Sequence, residues 1–209
     1  MKITIASRDK EIYDVFEWRF RDMEEVECYF GKFEDLNAYQ CLITAGNSFG
    51  LMDAGMDLAV VKFFGTQLME DIQEKILREY LGEQLVGTAF IAETHNIMHP
   101  YVVHAPTMRA PMNINLTDNI YNAMWASLIA VHQHNLTNQR KIEHLVTTSL
   151  GTGTGGVQAL ESSLQMKLAI QNFLTPAEYI NPSMAQHRHE TVHYGGNWGT
   201  NNPRQDFQL

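Results

Sequence analysis

Apolar positions along the chain alternate between short strand-like runs and longer segments with helical spacing. Apolar or β-branched runs predict six strands, at 3–6, 26–30, 40–45, 86–93, 101–105 and 144–150. Apolar residues three or four positions apart predict helices over 9–21, from 56 past 76 with a break at Gly65, over 117–134 and from 157 onward. This alternation is typical of an α/β domain with helices on both faces of a sheet. We expect the first two helices and the last two to cover opposite faces.

The periodic pattern ends near Thr175. We therefore predict one domain over residues 1–174 and a polar C-terminal extension over 175–209, docked or partly disordered. The extension offers aromatic docking anchors and a set of histidines: Tyr194, Trp198 and Phe207, and His187, His189 and His193. A polar tail rich in histidine is more often solvated than metal-binding, so we expect no metal site.

Composition narrows the classes of partner. The 209 residues contain no apolar run long enough to span a bilayer and no signal peptide, so we expect a cytoplasmic protein with no membrane partner. Cys28 and Cys41 lie in strand-like runs and are expected to be reduced core thiols. The net charge of −9, without clustered Lys or Arg, disfavours nucleic acid as a partner. An anionic ligand must then be held by backbone amides and helix ends.

A glycine-rich loop over 149–157 joins the sixth predicted strand to the last helix. Its glycines let the backbone turn tightly and leave N–H groups uncovered, and the helix N-terminus behind them adds partial positive charge. The combination predicts a phosphate cradle. No Gly-Lys-Ser/Thr closes the loop, so it is not a P-loop, and no strand with an acidic residue follows, as the dinucleotide fingerprint requires. A glycine loop that serves only the sharp turn is the alternative interpretation.

A second loop, over 45–57, follows the third predicted strand and leads into a helix that begins near Met56. In open α/β sheets, ligands bind beyond the carboxyl ends of the strands. Because both loops leave such strand ends directly, we expect them to lie side by side.

Together the two loops resemble the macro domain family of ADP-ribose-binding modules. Four segments carry the resemblance, in the family's order: 42–47, 53–59, 101–104 and 151–156. They are similar to Val-Asn-Ala-Ala-Asn, Gly-Gly-Gly-Val-Asp-x-Ala, Tyr-Val-Ile-His and Ser-Thr-Gly-Ile-Tyr-Gly of the family. The resemblance spans roughly residues 3–174.

The resemblance implies a three-layer α/β/α sandwich with a mixed central sheet, and ADP-ribose or an ADP-ribosylated substrate as the partner, with no cofactor. It implies that Asn47 lies near the distal ribose and Asp57 near the reacting ribose carbon. These two are the candidate catalytic residues. The candidate ligand-binding residues are Gly46, Asn47, Gly55, Met56, Gly151, Thr152, Gly153, Thr154, Gly155, Gly156 and Val157. The glycine segment among them would wrap the diphosphate.

Three departures from the family pattern stand out. Lys32 occupies the position of the family's acidic adenine-binding residue, so Glu34 or Asp35 would serve instead, or stacking alone would hold adenine. Asp53 begins the segment where the family has three glycines and adds a side chain beside the distal ribose. Gly155 replaces the loop aromatic, which predicts a looser lid over the diphosphate.

These residues support three functional hypotheses. The first is hydrolysis of an ADP-ribose linkage, in an ADP-ribosyl-protein, O-acetyl-ADP-ribose or ADP-ribose 1″-phosphate. In it, Asp57 acts as base or orients the attacking water, and Asn47 holds the ribose. The second is a non-catalytic ADP-ribose reader, in which Asp57 only favours the helix dipole and Asn47 only caps the loop. The third, which some family members suggest, is a DNA-directed hydrolase with Lys62 as nucleophile. An exposed helix lysine is the commoner interpretation of Lys62.

Overall fold

Six strands form one mixed sheet in the computed structural model, which describes residues 1–192. The strands are β1 (Lys2–Ser7), β2 (Val26–Phe30), β3 (Cys41–Thr44), β4 (Phe90–Glu93), β5 (Tyr101–His104) and β6 (His144–Thr148). Their order across the sheet is β2-β1-β6-β3-β5-β4. Only the edge strand β4 is antiparallel to its neighbour among these pairs. The carboxyl ends of the other five strands therefore meet at one edge of the sheet.

Helices cover both faces of this sheet. They are α1 (Lys10–Phe20), α2 (Gly55–Phe64), α3 (Thr66–Glu79), α4 (Asn119–Thr137), α5 (Ala159–Leu174) and α6 (Pro182–Thr191). Gly65 separates α2 from α3 with φ of 97°, so the predicted break within that segment is present. The architecture is the predicted three-layer α/β/α sandwich with a mixed sheet, and this prediction is confirmed.

The expected pairing of helices on the two faces is wrong. α1 lies on the same face as α4 and α5, and Lys167 of α5 donates a hydrogen bond to the carbonyl oxygen of Arg19 in α1 at 2.9 Å. Among the helices of residues 1–192, α2 and α3 cover the other face. Parallel crossovers are right-handed, and the steps from β1 to β2 and from β5 to β6 run in the same direction across the sheet. Handedness therefore places α1 and α4 on one face.

The central strand β3 is buried on both faces. Cys41 and Ile43 face the core beneath α1, α4 and α5, whereas Leu42 faces the core beneath α2 and α3. Such double-sided burial is typical of parallel strands between two helix layers. Because β3 is a central strand, the loop after it leaves the sheet near the middle of the carboxyl edge.

The helix α6 lies within the predicted polar extension, where the sequence pattern indicated no element. Asn181 caps it by accepting a hydrogen bond from the Met184 N–H at 2.8 Å, and the Arg188 guanidinium lies over the Trp125 ring. His187 and His189 belong to α6, and no group of three potential metal ligands occurs within residues 1–192. The third histidine of the tail and its three predicted aromatic docking anchors lie outside the described residues: His193, Tyr194, Trp198 and Phe207.

Two further findings bear on the compositional predictions. Cys28 and Cys41 are both free thiols, and burial raises the pKa of the Cys28 thiol to about 12. Within residues 1–192, none of the helices has the length and apolar character needed to cross a bilayer.

A cleft between two loops as the candidate functional site

The loop after β3 and the glycine loop after β6 line one cleft at the carboxyl edge of the sheet. The segment after β5 forms a further wall, where Asn47 makes a parallel bridge with Met108. The main chain of Ser48 reinforces this wall, because its N–H donates to the Met108 carbonyl at 3.1 Å. The structure thus brings the two predicted loops together.

Part of the glycine loop is bonded to itself. The N–H groups of Thr152, Gly156 and Val157 donate to the carbonyl oxygens of Ser149, Gly153 and Gly151, at 3.4, 3.0 and 3.0 Å. None of these three donor residues lines the cleft. Their hydrogen bonds hold the turn of the loop together. These three residues were predicted to contact the ligand, but none of them lies in the wall of the cleft.

Four other residues of the loop line the cleft and have main-chain N–H groups without an acceptor in the described part of the chain. The N–H groups of Gly151, Gly153, Thr154 and Gly155 donate to no acceptor within residues 1–192, and all four residues line the cleft. The helix α5 begins shortly after them, at Ala159. Uncovered N–H groups ahead of a helix N-terminus form an anion-binding site.

Close packing favours glycine at Gly155 and Gly156 of this loop. A Cβ at Gly155 would lie 2.6 Å from the Gly151 carbonyl oxygen and 2.9 Å from Ile114 Cγ1. Gly156 has φ of 64°, and a Cβ there would lie 2.6 Å from Asn113 Nδ2. The 111–116 segment therefore occupies the space that an aromatic residue at 155 would need. Gly153 differs, because a Cβ there meets nothing within 4 Å.

Asn47 uses its side chain to shape its own loop. Its Oδ1 accepts from the N–H groups of Phe49 and Leu51 at 3.1 and 3.2 Å, and its Nδ2 donates to the Leu51 carbonyl at 2.7 Å. One hydrogen of the amide remains available for a ligand. The geometry agrees with the loop-capping interpretation, and the contact with a ribose stays a prediction.

Beneath this loop lies His104, a residue that the sequence analysis did not assign to the site. Its Nδ1 bonds Gln84 Oε1 at 2.6 Å, and its Nε2 has no hydrogen-bond partner within residues 1–192. Burial lowers the pKa of His104 to about 4, so the ring is neutral. A Cβ at Gly46 would overlap His104 Nε2, which explains why glycine occupies this lining position.

The N-terminus of α2 forms the opposite wall. Its N-cap residue, Ala54, has no side chain that could accept from the first turn. Gly55, with φ of 57°, and Met56 both line the cleft, and their N–H groups have no acceptor within residues 1–192. These two predicted ligand-binding residues therefore present free donors to the cleft.

Asp57 lines the cleft one residue further along α2, and only 8% of its surface is exposed. The Thr44 hydroxyl at the end of β3 donates to its Oδ1. Burial raises the pKa of the Asp57 carboxyl to about 6, the Thr44 hydrogen bond opposes this shift, and the charge of Asp53 adds to it. Such a carboxyl group can exchange a proton near neutral pH.

Thr107 is a second polar residue that sequence reasoning missed. It lines the cleft, is fully buried, and its hydroxyl oxygen has no hydrogen-bond partner within residues 1–192. It follows directly after Pro106, which ends the predicted strand over 101–105. This position at a strand end is the sequence feature that could have identified Thr107 as a site residue.

Several predicted contributors lie away from the cleft. Lys62 is exposed in the last turn of α2 and is not among the lining residues. Lys32, Glu34 and Asp35 also do not line it, and the Asp35 carboxylate accepts from the Lys32 N–H at 3.3 Å within a 3₁₀ turn. How adenine would be recognised therefore stays a prediction.

Comparisons with known sequences agree with the motifs. The Macro domain family model matches residues 43–166, more than half of the chain. An uncharacterized protein of Aeropyrum pernix is 27% identical over 131 residues, which cover 62% of this chain and 62% of that protein. An uncharacterized protein of Aquifex aeolicus is 24% identical over 132 residues, which cover 63% of this chain and 73% of that protein. The chain thus spans less than two thirds of the Aeropyrum protein.

Solved structures share the fold. The Oceanobacillus iheyensis macrodomain with ADP superposes with a TM-score of 0.59 at 18% identity, covering 78% of this chain and 86% of that one. The macrodomain of Mycobacterium tuberculosis DarG gives 0.55 at 18% identity, covering 68% and 87%. The family model, the shared fold and the four sequence segments agree, and the chain belongs to the macro domain family.

Proposed function

We propose that the cleft binds ADP-ribose, free or attached to a larger substrate. The observation that carries this proposal is the set of four cleft-lining residues, Gly151, Gly153, Thr154 and Gly155, whose N–H groups have no acceptor within residues 1–192. No Lys, Arg or His within residues 1–192 lines the cleft, so we assign the diphosphate to the main-chain donors. The solved macrodomain of Oceanobacillus iheyensis with ADP and a variant of it with ADPR support this choice of ligand.

The charges of the cleft favour one orientation of the ligand. The glycine loop offers donors to an anion, whereas Asp53 and Asp57 bring two carboxylates to the other wall. An anionic diphosphate is favoured at the first wall and the uncharged distal ribose at the second. Gly55 and Met56 would then donate from α2 between these two regions.

Calorimetry with ADP-ribose tests the binding step. Gly153→Val should weaken binding at least tenfold, because the added side chain enters open space in the cleft without a steric conflict in the free protein. Gly153→Ala should have a smaller effect, and both variants should melt within a few degrees of the unchanged protein. Failure of the unchanged protein to bind ADP-ribose, or full binding by Gly153→Val, would contradict the proposal.

We further propose hydrolysis of the linkage at the distal ribose. Above about pH 6, Asp57 is a carboxylate that can accept a proton from water. When the water oxygen bonds to the ribose carbon, the bond from that carbon to the attached group breaks, and the attached group takes the proton. When it bonds to an acyl carbon, the bond from that carbon to the ribose oxygen breaks, the ribose oxygen takes the proton, and the acyl group is released as the acid. The linkage would be an ADP-ribosyl-protein bond, O-acetyl-ADP-ribose or ADP-ribose 1″-phosphate.

A hydrolysis screen over these three linkages separates the enzyme from the reader. Asp57→Asn should reduce turnover at least a hundredfold, in the range of general-base catalysis, while ADP-ribose binding falls much less. Tight ADP-ribose binding without turnover of any linkage would instead support the non-catalytic reader. Unchanged turnover by Asp57→Asn would remove Asp57 from the reaction.

Nucleic acid is a less favoured substrate. The chain has a net charge of −9, which disfavours binding to a polyanion. Lys62, the candidate nucleophile for such a reaction, lies outside the lining of the cleft. A covalent DNA adduct trapped at Lys62 would overturn this view.

A further inference from the structure

Among residues 1–192, the only ionisable side chains that line the cleft are two carboxylates, those of Asp53 and Asp57. Asp57 is buried in the first turn of α2, and Asp53 lies exposed two residues before that helix. No lysine, arginine or histidine within residues 1–192 forms an ion pair with either of them. In the described part of the chain, the wall at the N-terminus of α2 therefore carries two carboxylates without a cationic side-chain partner, beside the free N–H groups of Gly55 and Met56.

The nearby segment after β5 does not cancel this charge. Its arginine, Arg109, is exposed and pairs through Nε with Glu83 Oε1 at 2.7 Å. Asp53 lies close enough to Asp57 for its negative charge to contribute to the raised pKa of the Asp57 carboxyl. The cleft thus has one wall at the glycine loop that offers N–H groups and no carboxylate, and a second wall at α2 where two carboxylates accompany the N–H groups of Gly55 and Met56.

We infer that Asp53 is a specificity-determining residue that disfavours ligands with an anionic group on the distal ribose. This inference rests on the proposed binding of ADP-ribose and narrows its substrate class. The accepted substrates carry a neutral or cationic group at the linkage, as an acyl ester or an ADP-ribosylated side chain does. ADP-ribose 1″-phosphate is disfavoured, because its phosphate would lie beside Asp53.

The physical basis is repulsion between like charges at an exposed rim. A phosphate monoester carries a charge of about −1.5 to −2 at neutral pH. Beside a partly solvated carboxylate, this charge should cost about tenfold in affinity at low salt. Because Asp53 is exposed, added salt should screen the repulsion and reduce the difference.

Calorimetry with two probes, ADP-ribose and ADP-ribose 1″-phosphate, tests the inference. For the unchanged protein at low salt, we expect ADP-ribose to bind at least about tenfold more tightly. Asp53→Asn keeps the side-chain volume and removes the charge, so the ratio of the two affinities should fall about fivefold or more. Raising the salt concentration should lower the ratio for the unchanged protein more than for Asp53→Asn.

Glu24→Gln provides the matched control. Glu24 is exposed just before β2 begins, at the opposite edge of the sheet, and its substitution changes the net charge by the same unit. It should leave the ratio unchanged. Equal binding of the two probes by the unchanged protein, or an unaltered ratio in Asp53→Asn, would overturn the inference. Absence of any ADP-ribose binding would instead overturn the proposed function.

Discussion

The Thr44 hydroxyl donates a hydrogen bond to the Asp57 carboxylate and so links the end of β3 to the first turn of α2. Thr44 is fully buried, and the two residues are 13 positions apart in the chain. The bond occupies one oxygen of the acid. The orientation of the proposed base is therefore set by the central sheet and not only by its own loop.

Thr44→Val should move the titration of Asp57 to higher pH. The Thr44 hydrogen bond opposes the burial that raises the pKa of Asp57 to about 6, so its removal should raise that pKa further. The acidic limb of any hydrolysis profile should move in the same direction. Carbon NMR of the Asp57 carboxyl measures the shift directly, and Thr44→Ser should restore the original value. An unchanged titration in Thr44→Val would contradict the role of this bond.

Asp57→Asn should stabilise the fold at neutral pH. Folding raises the Asp57 pKa from 3.8 to about 6, so the folded state binds the proton more tightly than the unfolded state. Stability from this group is complete below pH 3.8 and falls as pH rises through about 6. Removing the charge should therefore add about 1–3 kcal/mol at pH 7. Urea unfolding at pH 7 and at pH 4 should show a gain that shrinks at the lower pH.

Gly46→Ala should destabilise the protein through the His104 ring. The new methyl group would overlap the buried Nε2, and the resulting repacking should cost about 1–3 kcal/mol. A double-mutant cycle with His104→Ala measures the cause, since the smaller residue removes the overlap. Additive effects of the two substitutions would show that the clash is not responsible.

His104 should make the protein sensitive to acid. Its folded pKa of about 4 lies below the ordinary value of 6.5, because burial disfavours the charged ring. The unfolded state gains the proton first, so stability should fall as pH decreases from 6.5 towards 4. His104→Phe lacks this group, and its stability relative to the unchanged protein should improve over the same interval. Chemical unfolding at a series of pH values provides the comparison.

Asn47→Ala should loosen the loop after β3. The substitution removes three hydrogen bonds between the side chain and the main chain of Phe49 and Leu51. The loss should cost about 1–3 kcal/mol and weaken ADP-ribose binding through disorder of the cleft wall. Amide hydrogen exchange of Phe49 and Leu51 should accelerate. Unaltered exchange with weakened binding would instead indicate that Asn47 acts directly on the ligand.

Local patterns in the sequence were sufficient for much of the fold. Apolar runs and helical spacing identified all six strands and the helices through α5, although β4 begins at Phe90 and not at 86. These features depend on residues a few positions apart, which a linear pattern contains. α6 was missed because it has almost no apolar face: none of its residues is buried.

The glycine loop has one property that the local sequence could not predict, namely which of its N–H groups are free. Its composition predicted a cradle of main-chain donors, because glycine leaves N–H groups uncovered. Which donors are open depends on the turn itself: Thr152 and Gly156 bond inside the loop, whereas Gly153 and Thr154 face the cleft.

By itself, the sequence determined the types of element, the two loops at the carboxyl edge of the sheet and the family segments. Only the tertiary structure decided that α1 shares a face with α5, that Thr44 holds Asp57 and that His104 lies beneath Gly46. These relationships arise from the strand order, from crossover handedness and from contacts between residues far apart in the chain. The periodicity of apolar residues along the chain does not indicate which distant side chains will be in contact in the folded protein.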